Sequence, residues 1–472
     1  MSTHPMTAAD AAWLHMDRPT NLMVINSVLW FDEPLDWERV KLTFKHRIVD
    51  QFPRYSQRVV EGGPLQGPHW EDVADFDPDL HMHRLALPAP HDRDALQELV
   101  GDLMTTPLDR SKPLWDIYLV EDYGEGCALV VRMHHCIADG IALARVMLLL
   151  TDEAADAGIE PGHAEDGARR SRLPFADGLA PARSAISAAR FVTGTAVHEG
   201  MESLAHPHHL VDLAHRMSAD TVTLAKLLAP GRESRSPFKG KLGVANHVAW
   251  SEPVPLSRIK AIGKPVGATV NDVLVTAVSG ALGRYMRAHG SDSDEIHALV
   301  PFNLRPLDVP LPRDLGNRFG LILLTLPVGI RDAHERRLEV KRRMDDIKNS
   351  HEGPLSYGIL GAIGRTPARV EELLIDFFTA KGTLVLTNVP GPRKPVYLAG
   401  SAVRGVLVWA PCSGSVGMSV SVFSYDRKVA VGFLTDAHLV PDPSELVSAF
   451  ERELADLYRH RRSRAPAAAV TT

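Results

Sequence analysis

The segment from Cys127 to Leu150 is the part of the sequence that most restricts the fold. It opens with the nearly continuous apolar run CALVVRMHH, which ends in two adjacent histidines, and IALARVMLLL follows a few residues later. The first run has the length of a strand buried on both faces, and the second has the length and composition of a helix. The sequence therefore predicts a buried strand, a short turn and a helix, with histidines where the strand ends.

These histidines begin the pattern HHxxxDG, from His134 to Gly140. Successive strand residues point to opposite faces, so both imidazoles cannot enter one cavity while the strand stays regular. We expect one histidine to be structural and the other to present its imidazole as a general base. Asp139 lies one turn later, where a buried carboxylate needs a partner such as arginine. Gly140 is expected to let the chain approach closely.

Other interpretations of the pattern are two core histidines, a metal site, or chance. Histidine and aspartate are zinc ligands, but the HExxH pattern and a third ligand at short range are missing, so we predict no metal site. Cys136 is a conceivable thiol nucleophile, although strand alternation turns it away from the face of His135. A serine nucleophile is not indicated, because the sequence has no GxSxG elbow.

The rest of the chain predicts a mixed α/β (α+β) architecture with two similar halves. Its 472 residues, 45% of them hydrophobic, suffice for two large domains. From about Thr151 to Arg183 the sequence is polar, rich in Gly and Pro and without periodicity, which is typical of a mobile linker, and helical patterns follow. We predict an N-terminal domain over residues 1–155, a linker over 156–236 and a C-terminal domain over 237–472.

Composition and charge exclude several classes of protein. The net charge of −6 and the aromatic content of 6% argue against a nucleic-acid partner. Three cysteines without CxxC spacing cannot form a disulfide framework and fit a reducing, cytoplasmic setting. We find neither a signal-peptide pattern nor an 18-residue apolar stretch, which predicts a soluble protein or one bound at a membrane surface.

HHxxxDG resembles the active-site motif of the CoA-dependent acyltransferase superfamily, and the whole chain resembles the bacterial wax ester synthase/diacylglycerol acyltransferase family within it. Further motifs of that family occur here in order along nearly the entire chain. They are the opening AADAAWLHMDRPTNLMVI, Pro113-Leu114-Trp115, Asn271-Asp272, Pro301 to Arg305 followed by Gly316-Asn317, Thr387 to Pro392, and the closing SVFSYDRKVAVGFLTDAHLVPD. The usual Leu-Ser before the first Asp is Met6-Thr7 in this chain.

The resemblance implies that His135 is the general base, which takes the proton of an acceptor hydroxyl as the oxygen attacks an acyl-CoA thioester. The transfer is direct, without an acyl-enzyme. His134 supports the base, and Asp139 is structural. Three arginines are candidate partners of Asp139, and the sequence does not distinguish between them. They are Arg54, Arg58 and Arg305.

Two further motifs have open roles. Asn271 either donates a hydrogen bond near the oxyanion or channel, or caps the helix that follows, with Asp272 in its first turn. Pro113, Leu114 and Trp115 are expected to be architectural rather than catalytic. The fold implied by the family is two chloramphenicol-acetyltransferase-like domains with a channel at their interface.

The family also implies the partners. These are acyl-CoA, as a substrate rather than a cofactor, and diacylglycerol or a long-chain alcohol; no cofactor is expected. A peripheral position at the inner membrane or lipid inclusions follows, for which the apolar stripe from Leu210 to Leu228 is a candidate, unless it packs on the core. The alternatives are an acyltransferase that uses a carrier-protein donor and a non-catalytic lipid-granule protein.

Overall fold

Two large mixed β-sheets, two small three-stranded antiparallel sheets and the helices packed against them make up the described part of the fold. The computed structural model describes residues 3–63, 67–159, 236–303, 311–348 and 379–463. Three predicted features lie wholly or largely outside the described residues: the linker, the stripe from Leu210 to Leu228, and Arg305. The predicted domain boundaries therefore stay predictions. The mixed α/β fold class is confirmed, because each of the two large sheets combines parallel with antiparallel strands.

The first half of the chain supplies most of one sheet. Its helices and strands are β1 (Thr3–Pro5), α1 (Ala8–His15), β2 (Val24–Phe31), α2 (Trp37–Phe44), β3 (Gln57–Val60), β4 (His69–Asp72), β5 (Met82–Ala86), α3 (Arg93–Thr105), β6 (Trp115–Tyr123), β7 (Gly126–His134), α4 (Gly140–Leu149) and β8 (Thr151–Asp152). Every residue of β7 is buried, as its apolar run predicts, because β2 and β6 flank it in the middle of the sheet. The predicted strand, turn and helix around the histidines are therefore present.

The second half builds a seven-stranded sheet. Its helices and strands are β9 (Asn246–Trp250), β10 (Val254–Pro255), α5 (Leu256–Gly263), α6 (Val270–Ala288), β11 (Ile296–Asn303), β12 (Phe319–Leu326), α7 (Ala333–Lys348), β13 (Leu384–Pro390), β14 (Tyr397–Leu398), β15 (Ser401–Ala402), β16 (Gly405–Trp409), β17 (Met418–Tyr425), β18 (Lys428–Asp436) and α8 (Ser444–Ser463). The path of this sheet is β10-β18-β17-β13-β11-β12, and β9 also pairs with β18. The closing hairpin suggested by the sequence is the pair β17 and β18.

One strand of the second half belongs to the sheet of the first. β16 pairs antiparallel with β2, and the order of this sheet is β16-β2-β7-β6-β5. Gly405 begins β16 directly against the ring of Trp30, where a Cβ atom would overlap the indole. The short strands β14 and β15 also join β8 of the first half. The two halves are therefore connected by shared sheets as well as by packing.

The start of α6 corrects one expectation from the sequence. Thr269, not Asn271, is the N-cap, because its hydroxyl accepts a hydrogen bond from the main-chain N–H of Asp272. The carboxylate of Asp272 accepts one in return from the N–H of Thr269 at 2.7 Å. This is a capping box, whose Thr-x-x-Asp pattern is visible in the sequence. The cap prediction for Asn271 is wrong, whereas the position of Asp272 in the first turn is confirmed.

The search for membrane-spanning segments covers the described residues. No single helix there is both long enough and apolar enough to cross a membrane. The bent pair Leu256–Val266 and Val270–Ala288, which meets at 95°, passes by length and composition only.

Candidate active site

The two histidines at the end of β7 have different surroundings. The main-chain N–H of His134 donates to the carbonyl of Leu114 at 2.9 Å, which continues the sheet by one bond. Its Nδ1 accepts a hydrogen bond from the N–H of Cys136, and its Nε2 lies 3.8 Å from a carboxylate oxygen of Asp17. His134 is thus enclosed by bonds that fix the turn, which suits a supporting role.

His135 is held by stacking instead. Its N–H donates to the carbonyl of Met23 at 2.7 Å, while its imidazole stacks on Trp13 with ring centroids 4.1 Å apart. The ring of Phe319 is tilted against the same imidazole, with ring centroids 5.4 Å apart. Within the described part of the chain, Nδ1 has no hydrogen-bond partner. Burial lowers the pKa of His135 to about 4, although the negative charge of Asp139 opposes this shift. The imidazole is therefore neutral at physiological pH, which is the form that a general base requires.

Asp139 joins the turn to the second half of the chain. One carboxylate oxygen caps α4 by accepting from the N–H of Ala142 at 2.8 Å, and the other accepts from the N–H of Arg318 at 2.9 Å. Two of the three predicted arginine partners bond elsewhere. The Arg54 guanidinium donates to Gln57, and that of Arg58 pairs with Glu71. The third candidate lies outside the described residues.

The segment Gly316–Arg318 of the second half lies directly against the histidine turn. The N–H of Gly316 donates to the carbonyl of Ile137 at 3.2 Å, and the side-chain amide of Asn317 donates to the carbonyl of His135 at 2.9 Å. Gly316 has a φ of 72°, a left-handed conformation that glycine adopts without strain. Both halves of the chain therefore build the candidate site. The sequence offered Gly316-Asn317 only as part of a family resemblance.

Gly140 differs from expectation, and Cys136 bears on the alternative of a thiol nucleophile. A Cβ added at Gly140 would meet no described atom within 4 Å, so the expected close approach of the chain is not observed there. Cys136 is completely buried, and burial raises the pKa of its thiol well above the usual value. A protonated thiol without solvent access is a poor nucleophile, which argues against the cysteine alternative.

Pro113, Leu114 and Trp115 support the site from the neighbouring strand. The carbonyl of Leu114 receives the N–H of His134, and all three residues are buried. The indole of Trp115 donates to the carbonyl of Tyr55 at 2.9 Å and stacks on His81. These contacts belong to the core, in agreement with an architectural role.

Asn271 and Asp272 form hydrogen bonds with residues of the second half of the chain. The side-chain carbonyl of Asn271 accepts a hydrogen bond from the amide of Asn388 at 2.7 Å, which joins α6 to the segment Thr387 to Pro392. Hydrogen bonds between the described residues do not link Asn271 to the histidines. In the same part of the chain, no group of three or more His, Cys, Asp or Glu side chains is arranged to hold a metal ion.

An apolar pocket, partly open to solvent, lies against strands β2 and β7 of the first sheet. Ile25 and Met133, which are paired across β2 and β7, line its floor. β7 ends at His134, the residue after Met133, so the pocket lies near the histidine turn, although no residue of that turn lines it. α4, β16 and the segment Pro390 to Pro392 complete the walls. A pocket lined almost entirely by apolar side chains is suited to apolar ligands.

The depressed pKa of His135 predicts how stability depends on pH. The unfolded chain binds a proton on this imidazole below pH 6.5, whereas the folded chain does so only near pH 4. Acid therefore favours the unfolded state between these values, and stability should fall as the pH decreases through this window. Urea denaturation of the wild type and His135→Gln should give curves of stability against pH that diverge there. Parallel curves would contradict the burial-driven shift.

Two family profiles match the chain. The wax ester synthase/diacylglycerol acyltransferase catalytic domain matches residues 6–274, and the WS/DGAT C-terminal domain matches residues 315–458. The chain is 26% identical over 463 residues to a probable diacylglycerol O-acyltransferase of Mycobacterium tuberculosis, with 96% of this chain and 95% of the relative covered. It is 25% identical to the O-acyltransferase WSD of Acinetobacter baylyi, with 95% and 96% covered.

Solved structures share the fold. A wax ester synthase/diacylglycerol acyltransferase from Marinobacter aquaeolei VT8 superposes with a TM-score of 0.67 at 20% identity, covering 97% of this chain and 100% of that one. The first condensation domain of the calcium-dependent antibiotic synthetase superposes with a TM-score of 0.58 at 14% identity, covering 98% and 96%. The matched profiles extend over most of the chain, which therefore belongs to the wax ester synthase/diacylglycerol acyltransferase family of acyltransferases.

Proposed function

We propose that this acyltransferase moves a fatty acyl group from acyl-CoA to the hydroxyl of diacylglycerol or a long-chain alcohol. His135 acts as general base, and no acyl-enzyme forms. The observation that carries the proposal is a buried, neutral imidazole directly after the end of a strand that also lines an apolar pocket. A neutral base beside a site for an apolar chain is what transfer between a thioester and a lipid alcohol requires.

The reaction then follows from where the proton goes. The imidazole of His135 takes the proton of the acceptor hydroxyl while its oxygen bonds to the thioester carbonyl carbon. The tetrahedral oxyanion collapses, the carbon–sulfur bond breaks, and the departing thiolate receives the proton from the imidazolium. The products are an ester and free CoA, so the proposed reaction balances without a cofactor. A buried imidazolium gives up its proton readily, because burial disfavours the charged form.

The apolar pocket is the proposed site of a fatty chain. Leu143, Met147 and Leu148 reach it from α4, and Val406 and Val408 reach it from β16. Fatty chains gain about 0.8 kcal/mol for each buried CH₂ group, so such a pocket favours long chains over short ones. A substrate held against α4 lies one turn from Asp139, which caps that helix, and thus close to the histidine turn.

The acceptor class is supported by what the relatives are named for, which is diacylglycerol O-acylation and wax ester synthesis. Both acceptors partition into lipid. We therefore propose that the protein works in the cytoplasm at the surface of the inner membrane or of lipid inclusions, as a peripheral protein without a nucleic-acid partner. Sedimentation of the full chain with liposomes that contain diacylglycerol tests this placement, and protein that stays in the supernatant would contradict it.

The purified full chain should release CoA thiol from palmitoyl-CoA only when an acceptor is present. Thiol and ester should appear in equal amounts with dioleoylglycerol or hexadecanol, because direct transfer links the two products. Mass spectrometry of the ester together with a thiol assay measures both. Palmitoyl-CoA without acceptor should yield neither a burst of thiol nor an acylated protein.

Two further arms separate the alternatives. A palmitoyl carrier protein in place of palmitoyl-CoA tests for a carrier-dependent enzyme, which would be active only with that donor. Droplet binding without turnover on either donor would indicate the non-catalytic lipid-granule protein. A thiol burst without acceptor would show an acyl-enzyme and would refute direct transfer.

A further inference from the structure

Asp10 and Asn317, from opposite halves of the chain, meet behind the main-chain carbonyl of His135. The side-chain amide of Asn317 donates to this carbonyl at 2.9 Å and to the carboxylate of Asp10 at 2.7 Å. The main-chain N–H of Asn317 donates to the same carboxylate oxygen at 3.0 Å. All three residues are buried, with exposed fractions of 2% for Asp10, 5% for Asn317 and 4% for His135.

Burial of the Asp10 carboxylate costs folding free energy. Burial raises its pKa, and hydrogen bonds from Thr7 and Asn317 oppose that rise. The Thr7 hydroxyl donates to it at 2.6 Å. A buried carboxylate destabilises a fold unless hydrogen bonds satisfy it, and a satisfied buried network makes its surroundings rigid. What this network holds in place is the backbone of His135.

The imidazole itself depends on that backbone. Among the described residues its Nδ1 has no hydrogen-bond partner, so no hydrogen bond at that nitrogen sets the orientation of the ring. The ring is constrained by its contacts with Trp13 and Phe319 and by the main-chain bonds of His135. Trp13 lies one turn after Asp10 on α1, so this single helix supplies both the stacking ring and the anchor of Asn317.

We propose that Asp10 and Asn317 are positioning residues that hold His135 where its imidazole can reach the acceptor hydroxyl. Asn317 acts on the His135 carbonyl, and Asp10 acts through Asn317. The proposal rests on the proposed role of His135 as the base. A base displaced by about 1 Å costs on the order of 100-fold in rate, while substrate binding is hardly affected. The predicted signature is therefore a loss of kcat without a change in KM.

Asn317→Ala should lower kcat by about 10- to 100-fold and leave the KM of both substrates unchanged. Asn21→Ala is the matched control. Asn21 is also a buried asparagine that joins the two halves, since its amide donates to the carbonyls of Gly414 and Val416 at 2.9 and 3.2 Å. It makes neither of the bonds that hold His135. Both variants should lose similar stability to urea, but only Asn317→Ala should lose kcat when the two are assayed at a temperature where both are folded.

A double-mutant cycle separates positioning from independent damage. If Asp10 acts through Asn317, then Asp10→Asn combined with Asn317→Ala should be no slower than Asn317→Ala alone. Additive losses, or equal kcat losses in Asn317→Ala and Asn21→Ala, would overturn the proposal. These outcomes are distinct from a failure of the proposed function, because they presuppose an active wild type whose kcat falls in His135→Ala.

Discussion

His135→Ala should lower kcat by about 10²- to 10⁴-fold, the range by which a positioned general base accelerates a reaction. The variant lacks a group that can take the acceptor proton, whereas the apolar pocket and the binding of both substrates remain. KM should therefore change little. Steady-state rates with palmitoyl-CoA and hexadecanol measure the effect, and circular dichroism checks that the fold is intact.

Cys136→Ser is the matched control for this loss. It changes the neighbouring buried residue by one atom and removes the only thiol of the turn. We expect its kcat to stay close to that of the wild type, because the buried thiol takes no part in the transfer. Inactivation by Cys136→Ser together with activity in His135→Ala would reverse the assignment and indicate thiol chemistry.

Asp139→Ala should lower the free energy of unfolding by roughly 2 kcal/mol. Loss of the helix N-cap, the hydrogen bond from Ala142, costs about 1 kcal/mol. Loss of the second hydrogen bond, from the partly buried N–H of Arg318, costs about 1 kcal/mol more. Urea denaturation followed by tryptophan fluorescence measures the change.

Asp92→Ala isolates the contribution of the cap. Asp92 caps α3 by accepting from the N–H of Ala95 at 3.0 Å, but it is exposed and lies at the start of another helix. We expect Asp92→Ala to cost only about 1 kcal/mol. The difference between the two variants measures the link to the second half, and equal losses would show that this link contributes nothing to stability.

The strand, turn and helix around the histidines could be predicted because their signals are local. The apolar run from Cys127 fills a central strand, and the sequence places that strand to within one residue at either end. The N-cap of α6 also has a local signal, because Thr269 and Asp272 have the spacing of a capping box. The family motif, in contrast, contains Asn271 and not Thr269. Thr269 and Asn271 are both residue types that cap helices, and the cap is Thr269 because its hydroxyl accepts a main-chain N–H of the first turn.

The partners of the site could not be predicted from the sequence. Asp139 accepts the main-chain N–H of Arg318, and main-chain donors leave no mark in a sequence. Trp13 stacks on His135 although more than a hundred residues separate them, and only the fold brings these rings together. The Marinobacter structure and this chain share the fold at 20% identity, so widely different sequences are compatible with it.

Strand β16, which the second half contributes to the sheet of the first, is synthesised late, so the candidate site can be completed only near the end of synthesis. Until Gly405–Trp409 has left the ribosome, β2 presents an open edge, which is the kind of surface that pairs with other chains. The apolar pocket also lacks the wall formed by Val406 and Val408 until then. A nascent first half therefore carries the histidine motif without a completed site, and the pocket beside it forms only after β16 has joined its sheet.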